Sequence, residues 1–262
     1  MLEIKHVTKV FFPGTVNEKV ALEDINLCVN EGDVVSVIGS NGSGKSTLFN
    51  MIAGTFPVTG GTITLDGKDI TKAPEYRRAF YIGRIFQDPT KGTSGNMSIR
   101  DNMTLSLKKG MKGLTFTYNS EKKALFQKLL EPIGLENRLD DNVGLLSGGQ
   151  RQALTLIMAC MSHPRLLLLD EHTAALDPGN AKTVMELTEE YIRKDHLTAM
   201  MVTHNMQQAI DFGNRLIMMD EGHIIMNVSG DEKKSLTVPL LIERFRQIRK
   251  KEYTTDETLL TV

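Results

Sequence analysis

The chain has 262 residues, 40% of them hydrophobic, so it can bury a substantial core, and one domain carrying a sizeable insertion is expected. Lys plus Arg number 31 against 32 Asp plus Glu; the net charge of -1 and pI of about 6.6 exclude a general electrostatic pull toward nucleic acid or anionic lipid. Cys28 and Cys160, the two cysteines, sit in apolar contexts without the spacing of a zinc site or disulfide framework, and read as buried thiols in a reducing compartment.

Leu2 to Val10 and Val20 to Val29 alternate apolar and polar residues and predict strands. MLEIKHVTKV has neither the basic stretch, the apolar run nor the cleavage site of a signal peptide. VVSVI is apolar on both faces, as in a covered parallel sheet, and runs through a glycine-rich turn into the helical KSTLFNMIAG. Asp66-Gly67 and Glu221-Gly222 predict hairpins. From Asp88 to Pro164 the periods become helical, in SEKKALFQKLLEPIGL and GGQRQALTLIMACMSH. LLLLD, NAKTVMELTEEYIRKD, TAMMVTH and NMQQAIDFG then alternate strand and helix, the grammar of βαβ units. PLLIERFRQIRKK predicts a basic amphipathic helix with a solvated face, and EYTTDETLLTV a mobile tail. The longest apolar runs fall far short of the roughly eighteen residues of a membrane span, so none is expected.

Gly39-Ser40-Asn41-Gly42-Ser43-Gly44-Lys45-Ser46-Thr47 has the phosphate-loop pattern. Its glycines let backbone N–H groups point inward around phosphates, at the positive end of the following helix. Lys45 is expected at the β- and γ-phosphates, Ser46 on Mg²⁺, and Thr47 in the first helical turn. Asp170, at the end of a buried strand, is a second Mg²⁺ candidate, and Glu171 projects differently and is placed to act as general base on water.

Leu146-Ser147-Gly148-Gly149-Gln150, twenty residues before Asp170, resembles the signature sequence of the ATPases of ABC transporters. The same residues also read as a helix capped by Ser147. Gln87 in RIFQDP, Asp177 in AALDP and His204 after TAMMVT follow in that family's order, and the resemblance runs from Leu2 to about Val228. It implies an α/β fold: a RecA-like P-loop NTPase core with a mainly parallel sheet and an antiparallel β subdomain (1–88 and 161–228), an inserted helical subdomain with the signature (89–160), and a C-terminal helix and tail (229–262). It implies ATP and Mg²⁺ as cofactors, with two chains sandwiching two nucleotides so that Leu146 to Gln150 meet the partner's ATP. In that scheme Gln87 senses Mg²⁺ and the attacking water, Asp177 lies at the dimer interface, and His204 holds the γ-phosphate. Phe11 resembles the aromatic that stacks on adenine, with Phe12 the competing choice.

The resemblance further implies separate transmembrane permease subunits, an extracytoplasmic solute-binding protein, no nucleic-acid partner, and a place at the cytoplasmic face of the membrane. Import is favoured over export because no membrane domain is fused to the chain and NVGLLSGGQ lacks the longer lead-in of many exporters. FFPGTVNEKVAL and DEHTAALDPGN are similar to the ATPases of bacterial amino-acid systems, aromatic ones included. A soluble ABC ATPase without a permease is the alternative, of which the iron-sulfur cluster-assembly type fits the sequence best. His172 stands where the family more often has proline; it is either neutral variation or a ring that tunes the pH dependence of the adjacent Glu171.

Overall fold

The structure, a computed structural model, describes residues 1–107 and 118–247. In chain order it contains β1 (Leu2–Phe11), β2 (Lys19–Val29), β3 (Val34–Gly39), α1 (Lys45–Ala53), β4 (Gly60–Leu65), β5 (Lys68–Asp69), α2 (Glu75–Arg78) and β6 (Ile82–Ile85). Then come α3 (Ile99–Leu107), α4 (Ser120–Leu130), α5 (Gly148–Cys160), β7 (Leu166–Asp170), α6 (Pro178–Lys194), β8 (Thr198–Val202), α7 (Met206–Asp211), β9 (Arg215–Asp220), β10 (His223–Ser229) and α8 (Gly230–Lys234). Residues 238–247 are helical; the IRKK part of the helix expected from the sequence, and the expected mobile tail, lie outside the described residues.

Two sheets result. An antiparallel sheet has the order β2-β1-β4-β5, and a six-stranded sheet the order β10-β9-β3-β8-β7-β6. In the larger sheet every pairing is parallel except β10 with β9. Both hairpin turns sit where the sequence places them. Asp66 and Gly67 have φ 49° and 73° between paired Leu65 and Lys68, and Glu221 and Gly222 have φ 45° and 86° between Asp220 and His223. Two successive left-handed residues match the twist of the flanking strands.

The period-2 alternation of the strands divides the core. On β7, Leu166 and Leu168 face the layer formed by α1 and the antiparallel sheet, while Leu167 and Leu169 face α5 and α6. Met200 and Val202 against Ala199 and Met201 repeat the division on β8. A third cluster, with Leu216, Met218, Leu236 and Leu241, seats the C-terminal helices on β9. Arg78, almost fully buried, donates to the carbonyls of Met51 and Ile52 and thereby closes the C-terminal end of α1. One sequence expectation fails. Cys28 is exposed and only Cys160 is buried, because on β2 Ile25, Leu27 and Val29 take the inner face and the alternation turns Cys28 outward.

Candidate nucleotide-hydrolysis site

The loop from Gly39 to Gly44 leaves β3 at the carboxyl edge of the large sheet and enters α1. Its glycines are required for different reasons. A Cβ at Gly39 would stand 2.1 Å from the carbonyl oxygen of Met219, and one at Gly44 2.5 Å from Leu22 Cδ2. Lys45 is 5% exposed, and its Nζ donates to the carbonyls of Gly39 and Ser40 at 2.9 and 2.8 Å. Burial pushes the Lys45 ammonium below its usual pKa, opposed by the charges of Glu171, Asp170 and Asp220. The hydroxyl of Ser40 donates to Oδ1 of buried Asp220 at 2.7 Å, and the N–H of Gly222 bonds the carbonyl of Ser43 at 3.2 Å. The hairpin between β9 and β10 thus braces the loop from behind.

Asp170 ends β7, and Glu171 follows with φ 49°, a left-handed conformation uncommon for a residue with a side chain. That turn separates the two carboxylates. Asp170 faces Arg84, whose Nη2 lies 3.3 Å from its Oδ2, whereas Oε1 of Glu171 lies 2.6 Å from Nε2 of His204. The Glu171 side chain is 13% exposed and that of His204 47%, so the histidine opens to solvent while the carboxylate is sheltered.

Two cavities meet at this edge. One, of about 380 Å³, is lined by Phe11, Phe12, residues 41–47, Glu171 and His204; the other, of about 680 Å³, is lined by Ser46, Arg84, Gln87, Asp170 and Glu171 among others. The first fits a polyphosphate. Gly44 caps α1 without a side-chain hydrogen bond and the first turn holds no acidic residue, so its amides remain for an anionic ligand beside the buried Lys45 cation. The second fits Mg²⁺, since its lining includes the hydroxyl of Ser46, the carboxylate of Asp170 and the amide of Gln87, which offer hard oxygen donors. Ser46 and Glu171 belong to both.

Of the aromatic pair, Phe11 is half-buried, its ring edge-on to Phe56 at 5.4 Å with Lys9 Nζ 4.8 Å from its centroid. Phe12 is 67% exposed. His172 is turned into the protein: it is 1% exposed, Nε2 lies 3.2 Å from Oγ1 of Thr188 on α6, and burial lowers its pKa to about 4. The ring packs against α6 and does not line the cavity that Glu171 faces, which favours the reading of neutral variation.

Leu146 to Gln150 lie apart from these cavities, at the start of α5. Ser147 Oγ accepts from the N–H of Gln150 and the Gln150 side chain accepts from the N–H of Ser147, both at 3.2 Å, a reciprocal capping box. Gly149 abuts Asn180, where a Cβ would come within 2.5 Å of the side-chain amide carbon. Asp177 caps α6, accepting from the backbone and side chain of Asn180, and these bonds hold its carboxyl below the usual pKa. Gly148 and Asp177 are exposed while Gly149 is buried against Asn180, so two helix starts contribute to one surface. Sequence reasoning missed Arg84, Gln152 and Asp220. Gln152 is buried on α5 and donates to the carbonyl of Phe86 at 3.0 Å. An arginine inside the otherwise apolar IGRI was the legible signal for the first.

A phosphate loop at the carboxyl edge of a mainly parallel sheet, with a carboxylate pair and a histidine at the ends of two adjacent strands, defines a nucleoside-triphosphate hydrolase of the P-loop class. The chain belongs to the ABC transporter family, whose model matches residues 22–174. It is 44% identical over 248 residues to the tyrosine transport ATP-binding protein of Clostridioides difficile (strain R20291), covering 94% of this chain and 98% of that one. It is 35% identical over 230 residues to the methionine import ATP-binding protein MetN of Vibrio vulnificus (strain YJ016), covering 86% of this chain and 64% of that one. A dimeric ATP-binding cassette in a post-hydrolysis state, bound to ADP and Pi, has a TM-score of 0.73 at 28% identity, over 87% of this chain and 98% of that chain. The chain is thus an ABC ATPase, with ATP and Mg²⁺ as its cofactors.

Proposed function

We propose that this chain powers an ABC importer for a small solute of the amino-acid type, by closing as a head-to-tail dimer on ATP and reopening after hydrolysis. The observation that carries the reading is the sheet edge at which buried Lys45, Asp170, Glu171 and His204 converge, together with a separate helix start whose Ser147 and Gly148 are exposed. One chain holds a complete hydrolytic set and, elsewhere, a helix start suited to a second phosphate.

Residues 39–47 cradle the phosphates, and Phe11, braced by Phe56, offers the adenine platform. Ser46, Gln87 and Asp170 would hold Mg²⁺, which would supply Lewis-acid neutralisation of phosphate charge there. Glu171 takes the proton of the attacking water, and His204 holds Glu171 and the γ-phosphate in register. Leu146 to Gln150 meet the partner's nucleotide, with Asp177 at the seam.

No helix among the described residues is long and apolar enough to cross a membrane. In this reading a separate permease supplies the path and anchors the chain at the membrane's cytoplasmic face, as the relatives named for transport and import support. A solute-binding protein completes the system. The amino-acid assignment rests on the relatives named for tyrosine transport and methionine import.

The test is size-exclusion chromatography with light scattering on Glu171→Gln, with and without ATP and Mg²⁺, beside co-purification of the wild type with membrane proteins. An ATP-dependent dimer and a co-purifying permease are expected. Dimerisation with a soluble scaffold as the sole companion would support the cluster-assembly alternative, and a mutant that binds ATP yet stays monomeric would refute the sandwich.

A further inference from the structure

Arg84 belongs to none of the motifs that define the site. It lies on β6, opposite Leu168 of β7, and its side chain is 11% exposed. Three contacts hold it: Nη2 is 3.3 Å from Oδ2 of Asp170, Nη1 donates to Thr55 Oγ1 at 3.2 Å, and the guanidinium carbon lies 4.6 Å from the centre of the Phe86 ring. Its Nε is buried with no hydrogen-bond partner.

This is an underused cation. Charge-assisted N–H···O bonds are typically about 2.7–2.9 Å, and both of its hydrogen bonds are longer. A guanidinium with an orphaned donor is not locked by a full set of partners; it stays because Asp170, 16% exposed, is a poorly solvated carboxylate that needs a counter-ion. The same carboxylate is the one that the cavity offers to a divalent cation. Two cationic partners for one carboxylate repel each other strongly in a partly desolvated site.

We propose that Arg84 is a positioning residue that occupies Asp170 in the metal-free protein and yields it when a divalent cation binds, so that it weakens metal binding until nucleotide phosphates add compensating negative charge. This rests on the assignment of Asp170 to Mg²⁺ made above. The guanidinium rests on Phe86, the neighbour of Gln87, so its release is also transmitted to the loop that carries the amide ligand.

The experiment is a Mn²⁺ titration followed by electron paramagnetic resonance, on the full chain, with Mn²⁺ alone and with Mn²⁺ plus ADP, so that no turnover is involved. Arg84→Met is expected to bind Mn²⁺ with ADP about tenfold more tightly than wild type, with a larger gain for Mn²⁺ alone, as follows from removing a nearby like charge. Arg84→Lys, which keeps the charge, is expected to stay within about twofold of wild type by the same argument. Unchanged or weaker Mn²⁺ binding by Arg84→Met would overturn the proposal. Should that variant fail to fold by circular dichroism, Arg84→Gln, which loses the charge but keeps hydrogen-bonding capacity, gives the same reading. Asp170→Asn serves as the separate control: if it leaves Mn²⁺ binding with ADP unchanged, the assignment of Asp170 to the metal fails, and with it the basis of the proposal.

Discussion

Nε2 of His204 stands 2.6 Å from Oε1 of Glu171, joining the segments that follow β8 and β7 across the mouth of the phosphate cavity. Either residue alone would be unremarkable; held together, they place an acceptor for a proton beside a group that fixes its orientation. Glu171→Gln is expected to lower kcat by about 10²–10⁴, the range of general-base catalysis, while nucleotide affinity stays near wild type. His204→Ala acts in the same direction. Because the pair works as a unit, the double variant should be hardly slower than the worse single one, which phosphate-release kinetics can read. Fully multiplicative losses would mean that the two act separately.

Gly149 has no room for a side chain, since a Cβ there would lie 2.5 Å from the amide carbon of Asn180, itself bonded to Asp177. Gly149→Ala should push the start of α5 away from α6 and disturb the surface offered to a second subunit, leaving the cavity of Lys45 intact. The expected result is a chain that binds a fluorescent ATP analogue normally as a monomer, yet no longer dimerises in the Glu171→Gln background and has lost ATPase activity. Normal dimerisation would show that this surface is not part of the seam.

Much of this architecture can be read along the chain. The β3 to α1 passage, both hairpin turns and the strand ending in Asp170 each announce themselves within about a dozen residues, through alternation, glycine placement or an apolar run. The relationships that brace the site cannot be read so. Ser40 and Asp220 are 180 residues apart in sequence, Arg84 and Asp170 86, and Gln152 and Phe86 66. They become neighbours only through the strand order β10-β9-β3-β8-β7-β6, which local pattern does not specify. His172 misleads for a related reason. Adjacency to Glu171 suggests a shared environment, but the left-handed turn at Glu171 sends the two side chains to opposite surroundings, one to the cavity and one to α6.

Asp220 is a case in which the brace can be tested without touching a ligand-binding group. It is 3% exposed and accepts the Ser40 hydroxyl at 2.7 Å. Asp220→Ala leaves that hydroxyl without its acceptor and loosens the loop, and a hydrogen bond to a charged group contributes about 1.5–3 kcal/mol. Part of that loss should appear as a lower unfolding midpoint of the nucleotide-free chain and part as weaker ATP binding, by about tenfold. Calorimetry separates the two. An unchanged ATP affinity would confine Asp220 to a role in folding.

His172 makes the acid side of the stability profile predictable. Its pKa lies at about 4 in the fold against 6.5 for the free side chain, because burial disfavours the charged ring. Between those two values the unfolded chain binds a proton that the folded chain does not, so stability rises with pH across that window and is lost as pH falls through it. A shift from 6.5 to about 4 corresponds to about 3 kcal/mol lost by the time the pH reaches the folded value. His172→Gln removes this component: urea unfolding at pH 7.5 and pH 5 should show a smaller drop for the variant than for wild type. Above pH 6 the pH–rate profiles for ATP hydrolysis should have the same shape, since the ring is already neutral there. A displaced profile would mean that His172 does communicate with Glu171, through the backbone of the turn they share.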